Sequence, residues 1–377
     1  MTAASVPSNL WRFLLSGQGW PYTLVPFIPI AIVLDQLQAN ATLVFFSSAL
    51  GVIPTASLMG KATEELAARA GPGIGGLLNV TFGNAPELII AIFALHRGLQ
   101  EVVKASIIGS ILGNLLLVMG AAMLIGGWGR ERQRFIAEAA SAQATLLLLA
   151  VVALLLPAMY LLSTGGHLPT LEREATRFST DIEKMSFGVA IVLLMSYAGG
   201  LWFSLKTHRD VFNPEMEAEE IPHGTWSVRR SVIALAIAGA AVGLMSEILV
   251  GSIEQASEGI GLSPFFVSLI IVAIVGNAAE HWVAVYFAAR DKVDLSVAIA
   301  VGSSAQIALF VMPVLVLLSF VLGPFPLALE FSGLEIGAIL LAVLIAAHVT
   351  QEGESTWFEG LQLLAVYVVL GIVFFFV

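Results

Sequence analysis

Two short stretches of this 377-residue chain place an amide and a carboxylate three residues apart among small neighbours: Gly83-Asn84-Ala85-Pro86-Glu87 and Gly276-Asn277-Ala278-Ala279-Glu280. Residues three apart share a helix face, so each stretch offers an amide oxygen and a carboxylate to one cavity. Both lie inside long apolar runs, where a charged side chain costs roughly 2.5–3.5 kcal/mol and is read as functional by default. The bland alternative is a protonated carboxyl hydrogen-bonded to a neighbouring helix; two acids in matching contexts argue against it. Gly83 and Gly276 permit close helix approach and local unwinding. Pro86 has no N–H to donate and crowds the carbonyl of Phe82, and a carbonyl released at membrane depth is tolerable only beside a cavity or an ion. Carboxylates, amides and carbonyls make a hard-oxygen site, which suits calcium better than softer transition metals. The chain has no cysteine, and no paired histidine accompanies either motif.

The register continues past the motifs. An offset of 193 (276 − 83) carries Gly83 onto Gly276, Arg97 onto Arg290, Glu101 onto Asp294 and Gly109-Ser110 onto Gly302-Ser303 without a gap. Such a run of polar matches indicates an internal duplication. Five spans separate the motifs, so the two copies cross the membrane in opposite directions, the inverted-repeat design whose sites lie near the midplane. Glu87 and Glu280 then meet at similar depth. Two ionised carboxylates facing each other in low dielectric repel, and one divalent cation or two protons relieves the repulsion. Calcium and protons thus compete for the same oxygens, with one calcium for two protons as the minimum exchange.

Further polar groups flank the pair. Ser110 and Asn114 in the fourth span, with Ser303 and Gln306 in the ninth, can complete or orient the site; Gly-Ser pairs in membrane helices equally serve packing and interhelical hydrogen bonds. His281 is either a proton relay or, pointing elsewhere on the helix than Glu280, a structural hydrogen-bonder. Glu64 and Glu65 near one face, and Glu247, Glu254 and Glu258 near the other, line approaches to the site or are ordinary interfacial acids.

The elements that must position these groups follow from composition. Hydrophobic residues make up 58% of the chain and charged residues 12%, an apolar surplus that needs lipid as its solvent. A span needs roughly 20 apolar residues, and the runs fall at 22–37, 41–60, 73–95, 103–127, 135–162, 185–205, 229–251, 262–288, 294–321, 332–349 and 356–377. The predicted fold is therefore an all-α integral membrane protein of eleven helices. Residues 1–40 hold the N-terminus and first helix, 41–205 a first repeat of five helices, 206–228 an acidic cytoplasmic connector, and 229–377 a second repeat of five. With the N-terminus inside, 12 of the 17 basic residues are cytoplasmic and 5 (Arg97, Lys104, Arg173, Arg177 and Lys184) are not, the asymmetry expected of cytoplasmic loops. No cleavable signal peptide is evident. The connector acids Asp210, Glu215, Glu217, Glu219 and Glu220 lack the ordered spacing of a calcium-binding loop and read as a solvated connector rather than a sensor. A net charge of −10 argues against a nucleic-acid partner. No cofactor is expected, calcium being the transported substrate; the partners expected are calcium, protons and the bilayer, with a homo-oligomer left open.

Gly83-Asn84-Ala85-Pro86-Glu87-Leu88-Ile89 and Gly276-Asn277-Ala278-Ala279-Glu280-His281 resemble the two alpha-repeat signatures of the cation/proton exchanger (CAX) family of calcium/proton antiporters, within the calcium/cation antiporter superfamily. Gly109-Ser110-Ile111-Leu112-Gly113-Asn114 and Gly302-Ser303-Ser304-Ala305-Gln306 resemble the segments that follow those signatures. The resemblance implies eleven helices, the first flanking two five-helix halves, and calcium binding by Glu87 and Glu280 with help from Asn84, Asn277 and nearby carbonyls. Sodium/calcium relatives usually carry Gly-Thr-Ser-type repeats with extra acids, so the departure here points to protons. The short connector and the absence of a long N-terminal extension resemble prokaryotic members and imply an inner (plasma) membrane. Three other readings stand beside this one: a sodium-coupled exchanger, a passive cation channel, and an intramembrane hydrolase. The hydrolase would need a Ser–His or Asp–Asp pair at membrane depth, and the sequence supplies neither; the chain is read as not an enzyme.

Overall fold

Charged residues end the apolar runs in the sequence, but helices continue through charges that are paired or wet. The computed structural model describes residues 19–164, 180–207 and 226–377. The connector acids from Asp210 to Glu220, and Arg12, Arg173, Arg177 and Arg209, lie outside the described residues. In chain order the helices are α1 (Phe27–Gln36), α2 (Ala41–Gly83), α3 (Ala85–His96), α4 (Gln100–Gly127), α5 (Ala137–Ser163), α6 (Thr180–Trp202), α7 (Val228–Ile260), α8 (Pro264–Ala289), α9 (Val293–Ser319), α10 (Gly333–Thr350) and α11 (Trp357–Phe375). Among the described residues nine helices are long and apolar enough to cross a membrane: Ala41–Ala70 within α2, Asp181–Thr207 around α6, and α4, α5 and α7 to α11. Among the described residues the fold is all-helical apart from a two-residue antiparallel pairing of β1 (Gln133–Arg134) with β2 (Glu354–Ser355).

Two helices overrun their sequence boundaries for one reason. The apolar run ending at 60 meets Lys61, Glu64, Glu65 and Arg69, yet the helix continues because these groups are satisfied. Lys61 lies 3.6 Å from Glu64 and 3.5 Å from Glu65. Glu65 accepts from the Trp226 N–H at 2.9 Å, and Arg69 donates to the Trp226 carbonyl at 2.5 Å. At the far end of α7, Glu254 and Glu258 are exposed, and the helix stops only at Gly261, whose φ of +73° suits glycine. Within α2 the chain also folds back. A Cβ on Gly75 would lie 2.5 Å from the carbonyl oxygen of Ala67, whereas eight residues of straight helix would separate them by about 12 Å.

Small residues set the packing. The long helices α2 and α7 lie against each other, with Met245 Sδ 2.8 Å from where a Gly51 Cβ would be and Met59 Cε 3.4 Å from the same point at Gly239. Between α4 and α8 the approach is closer: a Cβ on Gly109 would overlap the Leu269 carbonyl and come within 2.8 Å of Ala273 Cβ. The Ser332/Glu335 and Thr356/Glu359 capping boxes open α10 and α11.

Loops clip the bundle on both faces. On one, Arg132 and Arg134 meet Glu354 at 2.7 and 3.1 Å, Arg130 lies 3.5 Å from Asp291, and Asp294 accepts from the Ile136 N–H at 2.7 Å. On the other, the 320–332 segment crosses to the α3–α4 hairpin: Gln100 donates to the Phe325 and Pro326 carbonyls, and Lys104 to that of Glu330 at 2.8 Å. Hydrogen bonding from Arg132, aided by the charge of Arg134, holds the Glu354 carboxyl below the usual carboxylate range. A depressed carboxylate contributes stability above its unfolded pKa and loses it as pH falls through the folded one. The ion pairs at Glu354 therefore persist to a lower pH than an unpaired carboxylate would keep its charge. Because exposed ion pairs contribute little, Glu354→Gln should leave the thermal unfolding temperature of the purified protein nearly unchanged, whereas Gly109→Val, which must force α4 from α8, should lower it by several degrees.

Candidate cation site

The two motif helices are built differently, and a single residue explains why. The first is interrupted: α2 ends at Gly83, Asn84 leaves helical geometry at φ −96°, ψ 21°, and α3 begins at Ala85 with Pro86 in its first turn. Proline removes one ladder hydrogen bond and displaces the preceding turn. The Phe82 carbonyl expected to be freed by Pro86 is not left open, because the N–H of Asn84 turns back onto it. In the second motif Ala279 replaces proline and α8 runs unbroken through Asn277 and Glu280. Its irregularity lies upstream, in a π-helical turn at Ser268–Val272.

Each glutamate reaches across to the glycine of the opposite motif. Glu87 Oε1 lies 3.5 Å from where a Cβ on Gly276 would be, and Glu280 Oε1 lies 3.7 Å from the same point on Gly83. The exchange is reciprocal. Gly83 and Gly276 each lie four residues before the glutamate of their own motif, so these contacts seat both carboxylates between the same two motifs. Glu87 also sits in the first turn of α3, where the helix dipole favours negative charge.

The flanking polar groups join them through hydrogen bonds between the halves. Asn84 Nδ2 donates to Gln306 Oε1 at 2.6 Å, and Asn277 Nδ2 donates to Ser110 Oγ at 2.9 Å and to the Ala273 carbonyl at 2.8 Å. Ser303 Oγ donates to Glu280 Oε2 at 2.7 Å, and His281 Nε2 lies 3.0 Å from Asn114 Oδ1. Asn84 and Asn277 are each 1% exposed. With their amide nitrogens held, Asn84 Oδ1 and Asn277 Oδ1 are buried without a hydrogen-bond partner, and so is Glu87 Oε2. Buried acceptors of this kind are rare enough to need a reason. All are oxygens, and all belong to residues with hard-cation chemistry.

The structure thus brings Gly83, Asn84, Glu87, Ser110, Asn114, Gly276, Asn277, Glu280, Ser303 and Gln306 into one connected group. His281 sits in it as a hydrogen-bonding partner. Glu65 is committed to Trp226, and Glu247, Glu254 and Glu258 are exposed on α7. Among the described residues no group of three or more Asp, Glu, His or Cys side chains is placed to hold a metal ion, so the charge of the group comes from its two carboxylates. A small pocket runs from Glu87 and Gly276 past Ser110 to Ser106, walled by Ile90, Ile107, Val272 and Ile307. The sequence marks Ser106 only by its spacing of four from Ser110. Also absent from the sequence reading are the π-turns Gly113–Val118 in α4 and Ile307–Val311 in α9. They follow Ser110 and Ser303 and end at positions 193 apart (311 − 118).

The family described as sodium/calcium exchanger protein matches residues 40–206 and 230–376, which include every residue of this group. The chain belongs to that family. Within the family it is 42% identical, over 94% of its length and 96% of the relative's, to a protein of Aphanothece halophytica named Ca(2+)/H(+) antiporter. It is 41% identical to the Ca(2+)/H(+) antiporter ChaA of Bacillus subtilis, over 92% of this chain and 96% of that one. The solved structure of native YfkE superposes with a TM-score of 0.79 at 36% identity, covering 95% of this chain and 100% of that one. The seating of Glu87 on Gly276 makes a steric prediction. Gly276→Ala adds a methyl at ordinary contact distance from Glu87 and should retain transport, while Gly276→Leu displaces the carboxylate and should reduce calcium uptake roughly tenfold or more, measured in vesicles carrying matched amounts of protein.

Proposed function

We propose that this chain is a secondary antiporter that exchanges Ca2+ for H+, with Glu87 and Glu280 as the groups that hold the cation or the protons by turns. The observation that carries this is the reciprocal seating of each carboxylate on the other motif's glycine, beside buried amide oxygens that no protein donor satisfies. A calcium ion accepts such oxygens as ligands and neutralises two carboxylates; two protons achieve the same neutrality. Either loaded state can cross from one access to the other, while the ionised empty site carries bare charge in low dielectric and is held back. That barrier is what makes exchange obligatory. Asn84 and Asn277 supply neutral oxygens, Gln306 and Ser110 hold their amide nitrogens, Ser303 orients Glu280, and Asn114 lies beside them. The names of the relatives support the same pair of ions.

The arrangement of spans supports the rest of the reading. Adding α1 and the chain from Gly75 through α3 to the nine apolar helices gives eleven crossings: one flanking helix and two five-helix repeats, 41–205 and 229–377. The reciprocal contacts and the matched π-turns are what inverted copies would produce. With the N-terminus inside, the β1–β2 clip and its arginines are cytoplasmic and the 320–332 segment is external. The bacterial antiporter relatives support a prokaryotic inner membrane as its location.

The test is calcium uptake into vesicles under imposed gradients. A proton gradient should drive uptake, and a sodium gradient alone should not; Glu87→Gln and Glu280→Gln should each reduce uptake to background. Sodium-driven uptake would assign the sodium-coupled alternative carried by the family's description, uptake without any opposing gradient would indicate a channel, and uptake surviving both substitutions would remove the site.

A further inference from the structure

Three asparagines line this site, and two of them follow one pattern. Asn84 and Asn277 each give Nδ2 to a fixed acceptor and keep Oδ1 buried and unpartnered. Asn114, 2% exposed, has the opposite arrangement: Oδ1 faces His281 Nε2 at 3.0 Å, and Nδ2 is buried with no acceptor. An amide N–H2 without a partner among cation-binding oxygens is doubly unfavourable. It loses its hydrogen bonds, and it presents positive partial charge where a cation must sit. Exchanging the oxygen and nitrogen of an amide leaves its shape unchanged. With that exchange Nδ2 lies 3.0 Å from His281 Nε2, which accepts whenever the ring carries its hydrogen on Nδ1.

We infer that His281 is a positioning residue: it accepts a hydrogen bond from Asn114 Nδ2 and so frees Asn114 Oδ1 as a third buried amide oxygen for the cation. This rests on the proposed role of Glu87 and Glu280. Three observations converge on it. His281 follows Glu280 directly and therefore works at the depth of the carboxylate. A Cβ on Gly113 would lie 3.9 Å from His281 Cε1, so the ring packs on the turn that begins with Gly113 and carries Asn114. Asn114 sits in that turn four residues after Ser110, which accepts from Asn277 of α8, so both polar groups of α4 meet α8. The ring thus links the two repeats by orienting a ligand rather than by touching the ion.

The experiment is the calcium dependence of proton-driven uptake in vesicles for His281→Leu, His281→Gln, Asn114→Ala and the double variant His281→Leu/Asn114→Ala. His281→Leu should raise KM for calcium roughly tenfold with Vmax little changed. His281→Gln, which can still accept from Nδ2, should keep KM within roughly twofold of wild type. The double variant should be no worse than Asn114→Ala, because the ring acts only through that amide. An unchanged KM in His281→Leu, or a double variant whose defect is the product of the two single defects, overturns the inference. If His281→Leu does not reach the membrane, His281→Met replaces it with the same expected values. Full transport by Glu87→Gln and Glu280→Gln would instead sink the underlying site, so the two failures are told apart.

Discussion

A carboxylate at membrane depth is tolerable only when something neutralises it, and this chain carries two that lie within reach of one another. Their reach is set by glycine. Each carboxylate oxygen rests where the partner motif's side chain would have begun, Glu87 on Gly276 and Glu280 on Gly83. A side chain longer than a methyl group at either notch would push one acid away from the other. The remaining architecture maintains this contact: the close α4–α8 approach at Gly109, the hydrogen bonds that tie Asn84 to Gln306 and Asn277 to Ser110, and the clips on both faces.

Hydrogen-bond direction gives the site its chemistry. Every asparagine amide has one donating end and one accepting end, and the protein uses the donating end internally for Asn84 and Asn277. What remains are oxygens. A group of buried oxygens with two negative charges has no good state when empty, since its acceptors lack donors and its charges lack counter-charges. Binding a divalent cation and binding protons are two solutions to the same electrostatic problem. On the proposed assignment of Glu87 and Glu280, coupling between them needs no separate device and follows from the shared occupancy.

Much of this was legible in the sequence because polar residues stand out against an apolar background. The 193-residue register gave the pairing of motifs, and Pro86 announced the break that the structure places at Asn84. Less legible were features without a compositional signature. A π-turn needs no special residue, so the turns at Gly113–Val118 and Ile307–Val311 are silent in the text. The span that ends at 60 by hydropathy continues because Lys61, Glu65 and Arg69 find partners in three dimensions, which a window average does not weigh. The β1–β2 pairing joins two polar dipeptides more than 200 residues apart (354 − 134 = 220), and no periodicity marks it. The 320–332 segment reads as a Gly- and Pro-containing loop, while its role as a brace depends on backbone carbonyls that meet Gln100 and Lys104.

The claim at the centre is that calcium and protons occupy the same oxygens. The most direct measurement is proton release on calcium binding, by calorimetry of the purified protein in buffers of different ionisation enthalpy. The account predicts that binding releases protons and that the Glu87→Gln/Glu280→Gln double variant neither binds calcium nor releases them. Tight calcium binding with no proton release, or release that persists in the double variant, would contradict it.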